Sequence, residues 1–297
     1  MTGRERGFLL LGSHLGDPER RPLTGPQLRS LAQRVRDLNV DCPDRDLTRQ
    51  DLIGLGYGGS MAAHIIALLG EEDRLDHYLA QGKRAGCVPV TRVSPGYPVL
   101  LRRRLGLDAP ALLWARGDTA LLNAPGVALV GSRDLCERNR EFAWEVGRQA
   151  ALQGLTLISG NARGADRTAQ EGALASGGTV ISIVADELDR QPLRERMLWL
   201  SEDGFSEKFS APRALSRNRI IHALAWRTFV AQSRAKMGGT WDGTVKNLRF
   251  GWSGVYCFDD GSAGAEMLCN MGAFSIGQHD LCDFAALESR GEYSFEI

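Results

Sequence analysis

Lysine is the first scarcity. Of 36 basic residues only Lys83, Lys208, Lys236 and Lys246 are lysines, and 36 acidic residues bring the formal net charge to zero. A neutral chain is not one that coats nucleic acid by bulk attraction. A basic groove on one face stays open, because net charge averages over faces. The arginine bias has two readings that composition does not separate: a GC-rich genome, or forked recognition of phosphate. Cys42, Cys87, Cys136, Cys257, Cys269 and Cys282 are scattered, with no C-x-x-C pair and no Cys/His spacing of a zinc site. That argues against a disulfide scaffold and points to free thiols in a reducing cytosol. No run approaches about 18 uncharged apolar residues, and the patch at residues 8–11 is too brief for a signal peptide. The expectation is a cytoplasmic protein without a membrane span. Internal repeats and low-complexity linkers are absent too.

What is present sets a fold class. At 297 residues, 43% hydrophobic and 24% charged, the chain has a globular composition and the length of two domains. From Thr24 to Lys83 apolar residues recur at helical spacing. Leu28, Leu31, Val35 and Leu38 make one stripe, with Thr24 as its cap and Pro26 in its first turn. Residues 44–52, 61–69 and 73–81 continue the helical signal. Between the first two of these lies Leu52-Ile-Gly-Leu-Gly-Tyr-Gly-Gly. It reads either as a packing corner or as a helix-hairpin-helix turn whose N–H groups meet a phosphate.

After Gly86 short β-rich runs alternate with helical stretches. Residues 127–130 precede Glu137–Leu152, 156–158 precede 164–175, and 180–184 precede 192–200; then come 216–225, 229–231, 241–249, 255–258 and 263–271. This alternation predicts an α/β fold with a doubly wound, mostly parallel sheet and helices on both faces. The boundary to the helical N-terminal domain is placed at residues 82–87, dividing 1–84 from 85–297. Residues 280–289 read as a last packing helix, and residues 188–200 as the apolar patch of a dimer.

Such sheets bind ligands beyond the carboxyl ends of their strands. Val127-Ala-Leu-Val runs into Gly131-Ser132-Arg133. Leu157-Ile runs into Ser159-Gly160-Asn161-Ala162-Arg163-Gly164-Ala165-Asp166 and opens a helix. Phe229-Val-Ala-Gln232 precedes Lys236-Met237-Gly238-Gly239-Thr240, which opens another. Small residues let backbone amides approach a phosphate, and a helix N-terminus adds partial positive charge. Arg133 and Arg163 are placed to clamp phosphate oxygens from the side. Asp166 reads as a helix-start residue that orients Arg163. Each loop also has a plain reading as a turn.

A fourth segment, Pro212-Arg213-Ala-Leu-Ser-Arg217-Asn218-Arg219-Ile220-Ile221, sets cations at the mouth of a helix, where they oppose its dipole unless an anion sits there. The structural alternative pairs Arg217 with Glu202 or Asp203. None of the five histidines lies in these loops, so Ser132 and Ser159 lack a base and a hydrolase triad is unsupported. No metal or cofactor is expected.

The order of these segments resembles the DNA-processing protein A (DprA, or Smf) family. It carries in turn the Gly131 loop, the Ser159–Asp166 loop, Gly177-Gly178-Thr179, Glu187-Leu188-Asp189, Leu200-Ser201-Glu202, Arg217-Asn218-Arg219-Ile220-Ile221 and Gly238-Gly239-Thr240. Upstream, Val90-Thr-Arg-Val-Ser-Pro-Gly-Tyr97-Pro98, Ala109-Pro110 and Gly117-Asp118 are similar to that family's approach to its core, as Gly272-Ala273 is to its closing element. The resemblance spans roughly residues 86–276, and the N-terminal region is similar in kind to a SAM-like domain.

The resemblance implies an extended Rossmann-like core that binds single-stranded DNA in a basic pocket, and a binding protein rather than an enzyme. It further implies protection of incoming strands, loading of the recombinase RecA in natural transformation, and a homodimer. On it, Gly131, Ser132, Arg133, Ser159, Gly160, Arg163 and Gly164 contact backbone phosphates. Arg213, Arg217, Asn218 and Arg219 line the same pocket, and Gly238, Gly239 and Thr240 close it.

Departures are visible. Ala214-Leu215 replaces an aromatic-Pro pair that would stack a base, which leaves the plane of Arg213 as a substitute. Gln232 stands for a Glu and Gln170 for a His, and too few residues follow Gly272-Ala273 for a winged-helix domain. The alternative kept open is a nucleotide-binding sensor, or an enzyme like the nucleoside-monophosphate phosphoribohydrolases. For the enzyme, Gly238-Gly239-Thr240 is the phosphate loop and Asp242 the nearby carboxylate.

Overall fold

Alternation along the strands decides how the molecule is layered. In β3 (Gly126–Val130) Val127 and Leu129 join one apolar cluster while Ala128 and Val130 join another, so the strand is covered on both faces. The computed structural model describes residues 1–37 and 46–288. Five helices come first: α1 (Gly3–Gly12), α2 (Gly25–Asp37), α3 (Arg49–Gly54), α4 (Gly59–Leu69) and α5 (Glu72–Arg84). Then follow β1 (Cys87–Thr91), α6 (Val99–Leu105), β2 (Leu112–Gly117), β3, α7 (Glu137–Leu152), β4 (Thr156–Ser159), α8 (Ala165–Ala175) and β5 (Val180–Ile183). The chain continues through β6 (Met197–Ser201), α9 (Ala211–Leu224), β7 (Arg227–Val230), α10 (Gly238–Phe250), β8 (Gly254–Phe258), α11 (Ala263–Asn270) and β9 (Phe274–Ile276).

Among the described residues nine strands form one sheet in the order β1-β2-β6-β5-β4-β3-β7-β8-β9. From β6 to β9 every pairing is parallel; β2 joins β6, and β1 joins β2, antiparallel. The order runs outward from β3 to β6 on one side and resumes at β7 on the other. The gap between the ends of β3 and β7 is therefore the topological switch point, where such sheets leave a crevice. The predicted doubly wound α/β architecture is the one observed.

Small residues set the helix packing on one face. On α8, Ala165, Ala169 and Ala173 form an i, i+4 stripe, and α7 meets it with Phe142, Val146 and Ala150. A Cβ on Gly147 of α7 would sit 2.0 Å from the Ala169 carbonyl oxygen, so the two backbones are in contact there. On the other face α6, α9, α10 and α11 cover the sheet with Leu101, Ile220, Ile221, Trp241 and Leu268. The N-terminal helices build a third cluster around Leu28, Leu31, Leu52 and Ile65. Leu9, Leu10, Leu75 and Tyr78 pack instead into the sheet's own core, where Tyr78 and Phe205 stack beside Trp114.

Several expectations change. Residues 192–200 are not a helix: residues 197–201 are β6, whose Met197, Leu198, Trp199 and Leu200 are buried between the layers. Within 188–200 the large apolar side chains other than Leu193 are buried in the core, so they offer no apolar surface of the kind expected for a dimer. The apolar patch at residues 8–11 belongs to α1, begun by a Thr2/Glu5 capping box. In residues 44–52 the helix begins at Arg49 behind a Thr48/Asp51 box, while 44 and 45, like Leu38 and Cys42, lie outside the described residues. The Gly-rich turn after Leu52 joins α3 to α4 as a tight corner with Gly56 at φ +84°. Strands β1 and β2 are not part of the predicted alternation, because they join the sheet antiparallel. Of residues 280–289, the described part is a 3-10 turn, Gln278–Cys282, followed by irregular chain; Ser289 lies outside the described residues.

Replacing Gly147 tests the α7–α8 contact. Gly147→Ala is expected to lower stability by about 1–3 kcal/mol. Gly7→Ala on α1, with open space around its Cβ, is expected to be neutral or stabilising by up to about 1 kcal/mol. Urea midpoints of the two variants check both.

Candidate functional site

The crevice at the switch point is a cavity of about 420 Å³. Its walls are the Gly131-Ser132-Arg133 loop after β3, one side of α9, and the segment from Gln232 to Thr240 after β7. Backbone bonds tie these loops together. Ser132 N–H donates to the Gln232 carbonyl (3.0 Å), Ala165 N–H donates to the Ser132 carbonyl (3.1 Å), and the Thr240 hydroxyl donates to the Gly131 carbonyl (2.9 Å).

The α9 wall begins at a sequence signal. Ser210 caps the helix by accepting from Arg213 N–H, and Pro212 sits in the first turn. The helix therefore starts at Ala211, five residues before the expected 216. Arg217 and Arg219 fall in its second and third turns rather than at its mouth, so the dipole conflict concerns Arg213 alone. It is relieved by Asp203 at 2.7 Å and by the Lys208 carbonyl. Arg219 turns to the other side of α9 and is held by both oxygens of Glu202. The acidic partners expected for Arg217 thus belong to its neighbours.

Arg217 is buried at the base of the cavity. Its Nη2 donates to the Gly160 carbonyl (2.9 Å) and lies 4.0 Å from Asp166, and its Nη1 donates to Asn218 Oδ1 (2.9 Å). Asn218 in turn donates to the Gly239 carbonyl (3.0 Å). Gly160 has to be glycine, because a Cβ there would stand about 2 Å from the guanidinium. Gly164, at φ +85°, likewise has its would-be Cβ 2.3 Å from the Arg133 carbonyl oxygen. Asp166 accepts N–H bonds from Gly160 (3.0 Å) and Ala162 (3.1 Å). It orients this loop and faces Arg217, whereas Arg163 pairs across solvent with Asp134 at 2.7 Å. Burial pushes the Asp166 carboxyl up, against the pull of Arg217 and the two N–H groups. Burial lowers Arg217, and nearby Arg133 adds to the effect.

Arg133 and Arg234 reach the cavity from its two loops, both exposed and without an ion pair among the described residues. The first turn of α10 lies between them: Gly238, Gly239 and Thr240, with no side-chain cap. Its N–H groups and the positive end of the helix face the same space. Arg217 Nε, Gln232 Oε1 and Ser233 Oγ are buried there without a partner among the described residues. Unpaired buried polar atoms clustered in one crevice mark a place built for a ligand.

Of the expected residues, Gly131, Ser132, Arg133, Arg217, Asn218, Gly238, Gly239 and Thr240 line this cavity. Gly160 and Gly164 shape it from behind, and Arg163 is exposed outside it. Ser159 is fully buried below, accepting from Gln170 (2.6 Å), which also donates to Ser182 (3.2 Å). Arg213 and Arg219 do not line it.

The sequence reading passed over Phe209, Arg234, Met237 and His222, all on the cavity wall. Phe209, Leu215 and Met237 are 57%, 47% and 63% exposed, an apolar rim beside the cations. A lone aromatic just before a helix cap was the available signal for Phe209. His222 is buried, its Nδ1 accepting from Asn247 Nδ2 (3.2 Å) and near Thr228 Oγ1 (3.3 Å). Burial, with Arg217 adding, pushes its pKa down to about 3.

His222 sets a pH dependence. Its folded pKa lies below the ordinary 6.5, so the unfolded chain binds the proton first as pH falls. Its contribution to stability is complete above pH 6.5 and is lost progressively down to about 3. Urea unfolding across that range should show the slope, and His222→Gln should reduce it.

The family model for DNA recombination-mediator protein A matches residues 89–280. DNA processing protein DprA of Streptococcus pneumoniae is 35% identical over 144 residues, 44% of this chain and 50% of that one. Protein Smf of Synechocystis is 26% identical over 227 residues, 71% of this chain and 55% of that one. The chain thus spans about half the length of the curated relatives it matches. Among solved structures, that of S. pneumoniae DprA superposes with a TM-score of 0.69 at 24% identity, covering 90% of this chain and 99% of that one. DNA processing protein A of Helicobacter pylori, whose structure is described in terms of its single-stranded DNA binding mode, gives 0.56 at 23%, covering 66% and 94%. At those identities the two superpositions speak for the fold. The match over residues 89–280 covers well over half of the chain, which therefore belongs to the DNA recombination-mediator protein A family.

Proposed function

We propose that the switch-point cavity binds single-stranded DNA without acting on it chemically. The observation that carries the reading is the meeting, in one crevice, of an uncapped helix N-terminus, Arg133, Arg217 and Arg234 with an exposed apolar rim. Backbone phosphates need the helix N-terminus and the arginines and a splayed base needs the rim, whereas paired bases in a duplex offer no free face to it. Phe209 and Leu215 supply on this rim what Ala214 does not. The H. pylori relative, described as a single-stranded DNA binder, supports the choice of ligand.

On this reading the protein holds incoming or processed strands in the cytoplasm, as a homodimer, and hands them to a RecA-type recombinase. Residues 1–84 form a helical unit beside the DNA-binding core of 85–297. Ser132 and Ser159 serve structure and backbone contact rather than nucleophilic attack. A neutral His222 bonded to Asn247 is a poor proton acceptor at neutral pH.

Gel shift and titration against salt provide the test. An oligonucleotide should bind in preference to duplex. Arg133→Ala should weaken it at every sequence and lower the log–log salt slope by about 0.7–1. Phe209→Ala should cost about 1–3 kcal/mol of affinity with the slope unchanged. Lack of preference for single strands at low salt would sink the reading. Release of free base from a nucleoside monophosphate would favour the enzyme instead.

A further inference from the structure

We infer that a second groove, between the N-terminal helices and the α6–α9–α10 face, carries a further stretch of the same single strand, with Phe250 as its stacking platform and Lys246 as its phosphate contact. The inference rests on the single-strand reading of the first cavity. The groove measures about 920 Å³ and runs between the segment around Arg21 and Arg29 and a wall formed by Arg104, Leu107, Lys246 and Phe250.

Its charge balance is positive. The lining includes three carboxylates, Asp108, Glu202 and Asp203, and each has a guanidinium partner: Arg29 at 3.5 Å, Arg219, and Arg213 at 2.7 Å. Arg104 donates to the carbonyls of Ala223 and Ala225. Lys246 has no ion pair or hydrogen bond among the described residues.

The apolar feature is flat rather than broad. Phe250 is 60% exposed and lies nearly parallel to buried Trp252, with ring centroids 5.5 Å apart and planes at 14°. The Arg249 guanidinium stands 5.5 Å from the Phe250 ring. Lys246 and Arg249 near the C-terminal end of α10 also suit the helix dipole, which accounts for the charges. It does not account for an exposed ring lying nearly parallel to a second ring, which is what a nucleobase extends.

Continuity supplies the occupant. The N-terminus of α10 lines the first cavity and its C-terminal residue lines the groove, separated by about 18 Å of helix. A strand anchored at Gly238, Gly239 and Thr240 and following α10 arrives at Lys246 and Phe250.

Two oligonucleotides separate the sites: one of about 3 nucleotides, too short to span the roughly 18 Å between the first cavity and the groove, and one of about 20, able to occupy both. Phe250→Ala and Lys246→Ala should each leave the short oligonucleotide unchanged and weaken the long one about tenfold. Lys246→Ala should also lower the salt slope of the long one alone, by about 0.7–1. If both variants bind the long oligonucleotide like the parent, the groove belongs to another occupant, such as a protein, and the inference is overturned while the first cavity stands. If the parent binds neither oligonucleotide, the first cavity's reading falls and takes this one with it.

Discussion

The buried guanidinium of Arg217 is the interaction on which the site depends. It joins α9 to two segments distant in sequence: the Gly160–Asp166 loop, through the Gly160 carbonyl and Asp166 at 4.0 Å, and, by way of Asn218, Gly239 at the start of α10. A charge removed from water is tolerated only where partners surround it. Here the partners are incomplete, since Nε has none among the described residues and the Asp166 carboxylate stands at the outer limit of an ion pair. On the proposed reading an anion in the crevice completes the set, and the arginine that fastens the loops also faces the ligand.

The sheet makes this convergence possible. Parallel strands aim their carboxyl ends the same way, and the reversal of order between β3 and β7 leaves a gap that no crossover covers. Gly131 and the Gln232–Thr240 segment enter from opposite sides of it. Glycine at 160 and 164 then lets side chain and backbone approach to distances that a Cβ would forbid. Neutrality of the whole chain is consistent with a local cationic site, because some arginines are matched by carboxylates and others are not. Arg163 with Asp134, Arg213 with Asp203 and Arg219 with Glu202 are matched. Arg133 and Arg234 face the cavity without a matching carboxylate among the described residues.

Much of the fold was legible because local rules agree with it. Glu137–Leu152 is a helix over the range its periodicity predicts, and strands β3, β4, β5, β7 and β8 lie within a residue or two of their apolar runs. The failures have physical causes. β6 reads as a helix because Leu193, Met197 and Leu200 fall at helical spacing, yet the chain there pairs with β5 and β2 and is buried on both faces. The start of α9 was misplaced because its Ser210–Pro212 cap was not used.

Sequence by itself determined the class of fold, the positions of the glycine-lined turns and the membership that their order betrays, since these follow from patterns a few residues long. Tertiary structure alone decided which arginines face the crevice. Arg213, Arg217 and Arg219 look alike along the chain, but a helix turns each by 100° per residue, and the carboxylate or carbonyl waiting on that side sets its role. It also brought Phe209, Arg234 and His222 to the same wall, because contact between residues far apart in the chain is a property of packing that no local pattern encodes.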